Sequence, residues 1–529
     1  MNETGKTTNK KKIIFGITGG ILFIALAVCF TIALINHKSG NSSSSSGSSS
    51  SNTTTYTAGQ KITSGGTYKI TGENSCIVIN TTADVTLELD NATIICENGP
   101  AINVESADEV TINLSGENTI TSTTTEDLDG AIYSKSDLIF TGDGSLNITS
   151  NYDGIVSKDD LTINGGTYTI KASDDGIRGK DSVEITDGTF NITAGGDGIK
   201  STNEEDTSKG YVNITGGTFT INSGNDGIQA VTNLTVKAGT YNIKTTGSVN
   251  SDSDSAKGLK AGTLITIDGG TYTINSTDDA IHSNGNIIVN NGEFNINTKD
   301  DGFHADDTLT INDGTINIES CYEGFEGSKI YIKGGTNNIN ASDDGINAAS
   351  SDYSATANNG MNGRDNFKNS TGTLEISGGT TKVVSAGDGL DSNGTITISG
   401  GTTYVESSNN GPEEAIDHVG ALNITGGTII SLSNNMGMDD GTKTSSVPYL
   451  NTSVSGTGKI SIGNVSYTPT ISSYKYIFIA SSNLSTGTNT LTYGSNSTSV
   501  TLSTGTVNSV GGNQMGGPGN QNQGGPGRR

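Results

Sequence analysis

Short runs of alternating apolar and polar residues recur along most of this chain, punctuated by glycine and aspartate. In the stretch 153–172, Asp153-Gly154 leads into Ile155-Val156-Ser157, then Leu161-Thr162-Ile163, a Gly165-Gly166 break, and Thr167-Tyr168-Thr169-Ile170. A period of two, β-branched residues and turn formers between the runs predict three short strands, and no part of the unit has helical periodicity. The unit returns at Asp175-Gly176-Ile177, Asp197-Gly198-Ile199 and Asp226-Gly227-Ile228, and variants of it start at Lys257, Asp279, Asp301, Glu323, Asp344, Asp388 and Glu414. Several steps are 22 residues and the longest is 44. Such a period predicts a solenoid. With three strands per repeat it is a parallel β-helix, each coil lying on the last at roughly 4.8 Å. Ile155, Leu161, Ile163, Tyr168 and Ile170 are expected inside, and Thr162, Thr167 and Thr169 outside.

Stacking turns each repeated position into a column. The aromatic column Tyr168, Phe190, Phe219, Tyr241, Tyr272 and Phe294 shares the parity of Ile170 and is expected to be an interior ladder. The acids of the Asp-Gly turn form a second column, and four turns carry a pair: Asp174-Asp175, Asp278-Asp279, Asp300-Asp301 and Asp343-Asp344. Two like charges one coil apart repel by about 3.5 kcal/mol at an effective dielectric of ~20. Such a column needs cations, protons or basic neighbours. Hard oxygen ligands beside backbone carbonyls suit Ca²⁺, so Asp153, Asp174, Asp175, Asp197, Asp226, Asp278, Asp279, Asp300, Asp301, Asp343 and Asp344 are candidate metal ligands. The competing reading is that each aspartate caps its own turn. Three residues beyond the acid runs a third column: Val156, Arg178, Lys200, Gln229, Lys260, His282, His304, Glu326, Asn347, Asp391 and Asp417. It is expected to face solvent. It reads either as charge compensation or as a groove in which Arg178, Lys200, Gln229, Lys260, His282 and His304 meet a long anionic polymer. Two stacked histidines are by themselves too few ligands to assign a transition-metal site.

Outside the repeats the pattern changes. Lys10-Lys11-Lys12 precede an apolar run at 13–35. At helical rise that is about 35 Å, enough to span a bilayer. The lysines favour an inside N-terminus, a short cytoplasmic tail at 1–12 and an external bulk. A lipoprotein signal ending at Cys29 and a cleaved signal peptide are the alternatives. A Ser-rich linker (36–55) leads into the β-helix (56–441), a β-rich cap (442–508) and a Gly-rich tail (509–529) expected to be disordered. Extra residues at 202–210, 246–256, 349–371 and 407–412 are expected to wall one face of the solenoid. Cys76 and Cys96 do not share a repeat column, so no disulfide is expected between them, and no Cys/His spacing suggests zinc. A net charge of −26 excludes a nucleic-acid partner as the leading reading.

The unit Asp-Asp-Gly-Ile, Leu-Thr-Ile, Gly-Gly-Thr-Tyr-Thr-Ile, together with the anchor and tail, resembles the carbohydrate-binding β-helical family of clostridial cell-surface proteins. That resemblance implies a right-handed helix similar to pectate lyases, bound calcium, and binding of cellulose and acidic sugars such as polygalacturonate. It points to a membrane-anchored, non-catalytic surface protein, expected as a monomer. Two other classes stay open. A calcium-dependent lyase would need a base such as Lys200, Lys257 or Lys260; a structural adhesin would need none.

Overall fold

The computed structural model describes residues 53–249, 255–349, 371–408, 413–435, 441–508 and 510. The apolar run at 13–35, nearly all of the linker, most of the 349–371 insertion, residues 409–412 and the Gly-rich tail lie outside the described residues. Every strand or helix assigned among the described residues is a β-strand.

In the coil begun by Asp153, strands Asp153–Ser157, Asp160–Ile163 and Thr167–Ala172 form a first, second and third face. Each pairs in parallel with its counterpart one coil on: Ile155 with Ile177, Leu161 with Val183, Tyr168 with Phe190. Register survives the insertions. Ile228 pairs with Leu259 across the 31-residue step, and Ile346 with Leu390 across the 44-residue step. Neither insertion shifts the ladder on its two sides.

The parity reading holds. Ile155, Leu161, Ile163, Tyr168 and Ile170 are buried; Thr167 and Thr169 are exposed, and Thr162 is half-buried. The aromatic column is an interior stack, with rings 4.6–5.0 Å apart and within 7° of parallel from Tyr168 to Phe294. Dispersion and burial both favour this arrangement. The turn before it needs glycine: Gly188 has φ 135° and lies against the Phe190 ring, where a Cβ would come within 2.9 Å.

From Thr442 the parallel order gives way. Strand Thr442–Gly456 starts parallel to Ala421–Ile424 and then runs antiparallel to Tyr474–Ser481, which also covers the last third-face strand, Thr428–Ser433. An open stack would expose a row of unpaired amides and carbonyls; these antiparallel strands close it over their own small core of Leu432, Ile460, Ile477 and Leu491. The fully buried Glu406 ties cap to coils, accepting from Thr470 N, Thr470 Oγ1, Ile471 N and the Tyr467 hydroxyl.

One expectation fails here. Cys76 and Cys96 form a disulfide, with Cα atoms 5.0 Å apart. Cys76 occupies the small-residue corner of its coil, in the column of Ala101 and Ala131, as the pairing of Ile77 with Ile102 shows. Cys96 ends the third-face strand of the same coil. One full turn brings that strand end over the corner at which the coil began, so residues from different columns meet across one coil step.

The interior ladder predicts an asymmetry between faces. Phe219→Ala should cost ~3–5 kcal/mol through the cavity it opens between Phe190 and Tyr241. Thr169→Ala, on the outer surface, should stay within ~0.5 kcal/mol. Chemical denaturation of the two variants checks this; equal effects would remove the ladder from the core.

Candidate functional site

The first face carries the charged columns, and its geometry starts at the turn. Most turn acids are buried, and eight of them accept a backbone amide of the next coil. Asp153 Oδ1 accepts the amide of Asp175 at 2.9 Å, Asp175 that of Asp197 at 2.8 Å, and Asp197 that of Asp226 at 2.8 Å. The series continues from Asp226 to Lys257, Asp279 to Asp301, Asp301 to Glu323, Asp344 to Asp388 and Asp388 to Glu414. Where Lys257 replaces the acid, Asp278 Oδ1 accepts the Asp279 amide instead. The caps therefore join coils, a geometry that the single-turn reading missed.

From Asp153 to Asp226 the second oxygen of the acid meets the basic column. The Arg178 guanidinium lies 2.7 Å from Asp153 Oδ2 and donates to Asp129; Lys200 lies 3.2 Å from Asp175 and 2.6 Å from Asp197; Lys260 lies 3.3 Å from Asp226. Lys257 reaches back to Asp278 and Asp279 at 2.7 and 2.6 Å. These side chains are not free in solvent: Arg178 is 19% exposed and Lys200 22%. Val156, at the head of the column, is buried outright. The expectation that Arg178 and Lys200 face solvent is corrected accordingly, because the buried carboxylates draw them down onto the turn.

Electrostatics follow this pairing. Burial pushes the Asp153 carboxyl up to about 7 against the pull of Arg178, and Asp197 up to about 6 against Lys200. Burial disfavours the charged form of Lys200 and Lys257 too, but the adjacent aspartates outweigh it and hold both ammonium groups above the usual lysine range. Asp279 is also buried, yet His282 and Lys257 hold it well below the carboxylate range. Burial lowers His304, but Asp301, Glu326 and Asp279 raise it further, to about 9.

Past His304 the column turns acidic: Glu326 still faces His304, but among the described residues no lysine, arginine or histidine forms an ion pair with Glu323, Asp344, Asp388 or Asp391. Burial and neighbouring carboxylates push Glu323 to about 9, Asp388 to about 9, Asp391 to about 8 and Asp344 to about 6. Asn347 stacks between Glu326 and Asp391. It donates to both Glu323 oxygens at 3.1 and 3.0 Å, while its own Oδ1 is buried without a hydrogen-bond partner. Gly387 leaves room for the pair beside it, since a Cβ there would lie 2.4 Å from Asp344 Oδ1 and 2.8 Å from Asp343 Oδ1.

Of the candidate ligands, Asp153, Asp174 and Asp175 come together, as do Asp278, Asp279 and Asp300. Asp174 is exposed; Asp300 and Asp343 are half-buried. Of the candidate glycan contacts, Lys200, Gln229 and Lys260 share one open pocket of about 350 Å³ with Asp197, Asp226 and the loop residues Gly247, Ser248 and Ser255. The 246–256 insertion thus supplies a wall. The 202–210 insertion instead folds back on Asp181 through Asn203 and Lys209. Tyr322, which was not among the candidates, stands 46% exposed between Asp300 and Asp343 in the column of first acids. Its interruption of an acidic series was the available signal.

A family model described as a carbohydrate-binding domain-containing protein matches residues 57–302 and again 300–514. Among solved structures the chain is similar to the polysaccharide lyase-like protein from C. thermocellum, in its gadolinium derivative. Identity is 33% over 39% of this chain and 86% of that one, with a TM-score of 0.34. No curated protein matches.

Two outcomes follow from the pairing. Arg178→Ala should lower stability by about 3 kcal/mol, the scale for stranding a buried partner, here Asp153. Full stability after the substitution would show the pair to be incidental. In the acidic segment the folded-state values of Asp388 and Asp391 lie above the unfolded carboxyl value of ~3.9. The folded state then binds more protons, so this contribution is complete at low pH and is lost as pH rises through about 8 to 9. Without divalent ions the melting temperature should fall from pH 6 to 9, and Asp391→Asn should flatten that slope; identical slopes would refute the assignment.

Proposed function

The chain belongs to the carbohydrate-binding domain-containing protein family, and on that footing we propose that its first face binds polysaccharide outside the cell, held at the membrane by the apolar run at 13–35. The observation that carries this reading is the open polar pocket of Lys200, Gln229 and Lys260, walled by Asp197, Asp226 and the loop residues Gly247, Ser248 and Ser255. It presents donors and acceptors in alternation along a face that continues from coil to coil, which matches a polymer of hydroxyl groups. Tyr322 adds one exposed ring face a few coils away.

The ion pairs change how acidic sugars would be held. Arg178, Lys200 and Lys260 already face protein carboxylates, so their remaining N–H groups suit sugar hydroxyls better than uronate charge. Capture of a uronate falls to the acidic segment through a cation. Asp153, Asp175, Asp197 and Asp226 fit calcium poorly, because Oδ1 of each holds an amide and Oδ2 a lysine or arginine. Asp344, Asp388 and Asp391, with the orphaned Asn347 Oδ1, fit well: all are oxygen donors and the carboxylates repel one another. Calcium would supply the charge that lets a protein of net charge −26 hold an anionic polymer.

A lyase reading gains nothing from Lys200 or Lys257: paired aspartates hold both protonated, and a base needs its lone pair.

The test is retention of the full-length chain on polygalacturonate and on cellulose, with Ca²⁺ or chelator. Ca²⁺-dependent retention on polygalacturonate without unsaturated product is expected. Asp344→Asn with Asp391→Asn should abolish it, and Gln229→Ala should weaken retention on cellulose. Release of unsaturated sugar, lost in Lys257→Ala, would establish the lyase instead.

A further inference from the structure

Two histidines and three carboxylates from three successive coils converge at the point where the basic column gives way to the acidic one. His282 and His304 stack in register, with ring centroids 4.7 Å apart. Both turn Nδ1 toward the turn acids. His304 Nδ1 lies 3.1 Å from Glu326 Oε2, 3.4 Å from Asp301 Oδ2 and 3.7 Å from Asp279 Oδ2. His282 Nδ1 lies 2.8 Å from the same Asp279 oxygen. The donor atoms of Asp279, His282 and His304 all fall within 4.8 Å of one another, and so do those of Asp301, His304 and Glu326; the two triads share His304.

We propose that these five side chains form a binding site for a divalent first-row transition-metal ion of the zinc type. Three observations support it independently of the glycan reading. The spacing fits: neighbouring ligand atoms around a four- to six-coordinate ion at 2.0–2.2 Å stand roughly 3.0–3.4 Å apart, and the two Nδ1 atoms lie 2.8–3.7 Å from the carboxylate oxygens. The donor chemistry fits, since imidazole nitrogen with carboxylate selects such ions over calcium. The outer partners fit as well. His282 Nε2–H donates to Asn284 Oδ1 at 3.0 Å, and His304 Nε2 lies 3.5 Å from Asp306 Oδ1. In both cases the acceptor stands two residues further along the chain. A second-shell acceptor on one ring nitrogen directs the other to the metal. His304 and Glu326 are 25% and 26% exposed, so the ion would keep one side open to solvent or to an oxygen of a bound ligand.

The experiment is calorimetric titration of the chelator-stripped full-length chain with Zn²⁺, alongside Co²⁺ read by visible absorption. The wild type should bind one more equivalent of Zn²⁺ than the His282→Gln/His304→Gln double variant, and only the wild type should show the Co²⁺ bands of a nitrogen–oxygen site. Should the double variant melt abnormally, Glu326→Gln decides. It keeps both imidazoles and the side-chain volume, and should weaken Zn²⁺ roughly tenfold or more, the scale seen even for outer partners of metal ligands. Equal Zn²⁺ stoichiometry, affinity and Co²⁺ spectra in wild type and variants would overturn the proposal. So would a site that takes Ca²⁺ as tightly as Zn²⁺ whether or not the imidazoles are present.

Discussion

In a parallel stack held in register, every repeated residue must meet its own kind one strand spacing away. This constraint governs the molecule. For isoleucine and phenylalanine it is favourable: Ile155, Ile177 and Ile199 share one buried column, and the aromatic rings lie nearly parallel. A carboxylate column is unfavourable under the same rule, because repulsion between like charges grows as water is excluded. The fold answers with two devices that act on different oxygens of the same aspartate. One oxygen takes the backbone amide of the next coil, and the other takes a cation from the neighbouring column.

These devices make the acids structural before they are functional. A turn aspartate that caps the following coil stitches the stack on the face where the strands are shortest, only three residues in Ile177–Gly179 and Ile199–Ser201. Such strands contribute few ladder bonds, so charge-assisted bonds from a buried carboxylate matter more there than on the third face, with its six-residue strands. The cost of burying the acid is met by Arg178 and Lys200, which explains why both lie low against the turn and not out in the groove.

Much of this was legible in the sequence for a simple reason. Period-two parity fixes which side chains point inward, so Tyr168 and Ile170 could be placed from their neighbours alone. The order along each column was equally readable, because register follows from the repeat. Parity says nothing about depth, however, and an outward-facing arginine next to a buried acid folds down onto it; the exposure of Arg178 was therefore misjudged. Cys76 and Cys96 were misjudged because a disulfide joins a corner to a strand end across a coil step, a diagonal relation that column counting does not see. Asp388 was recorded in the turn column and Asn347 and Asp391 in the column three residues beyond it, but all three were left out of the candidate ligands. Their significance lies in having no ion-pair partner among the described residues, which only packing defines.

Where compensation stops, chemistry becomes available. From Arg178 to Lys260 the two columns cancel, leaving a face of hydrogen-bond donors and acceptors with little net charge to offer. From Glu323 onward the carboxylates face one another, and burial keeps several of them protonated into the neutral range or above. Protonation is one way to relieve the repulsion; a divalent ion is another, and the two compete for the same oxygens. The histidines stand at the junction between these regimes, where an imidazole can serve as the cation in a pair or as a neutral ligand. One repeated backbone thus holds three environments in sequence along a single face. They differ because the residue three positions beyond the turn changes from lysine to histidine to aspartate while the turn itself stays the same.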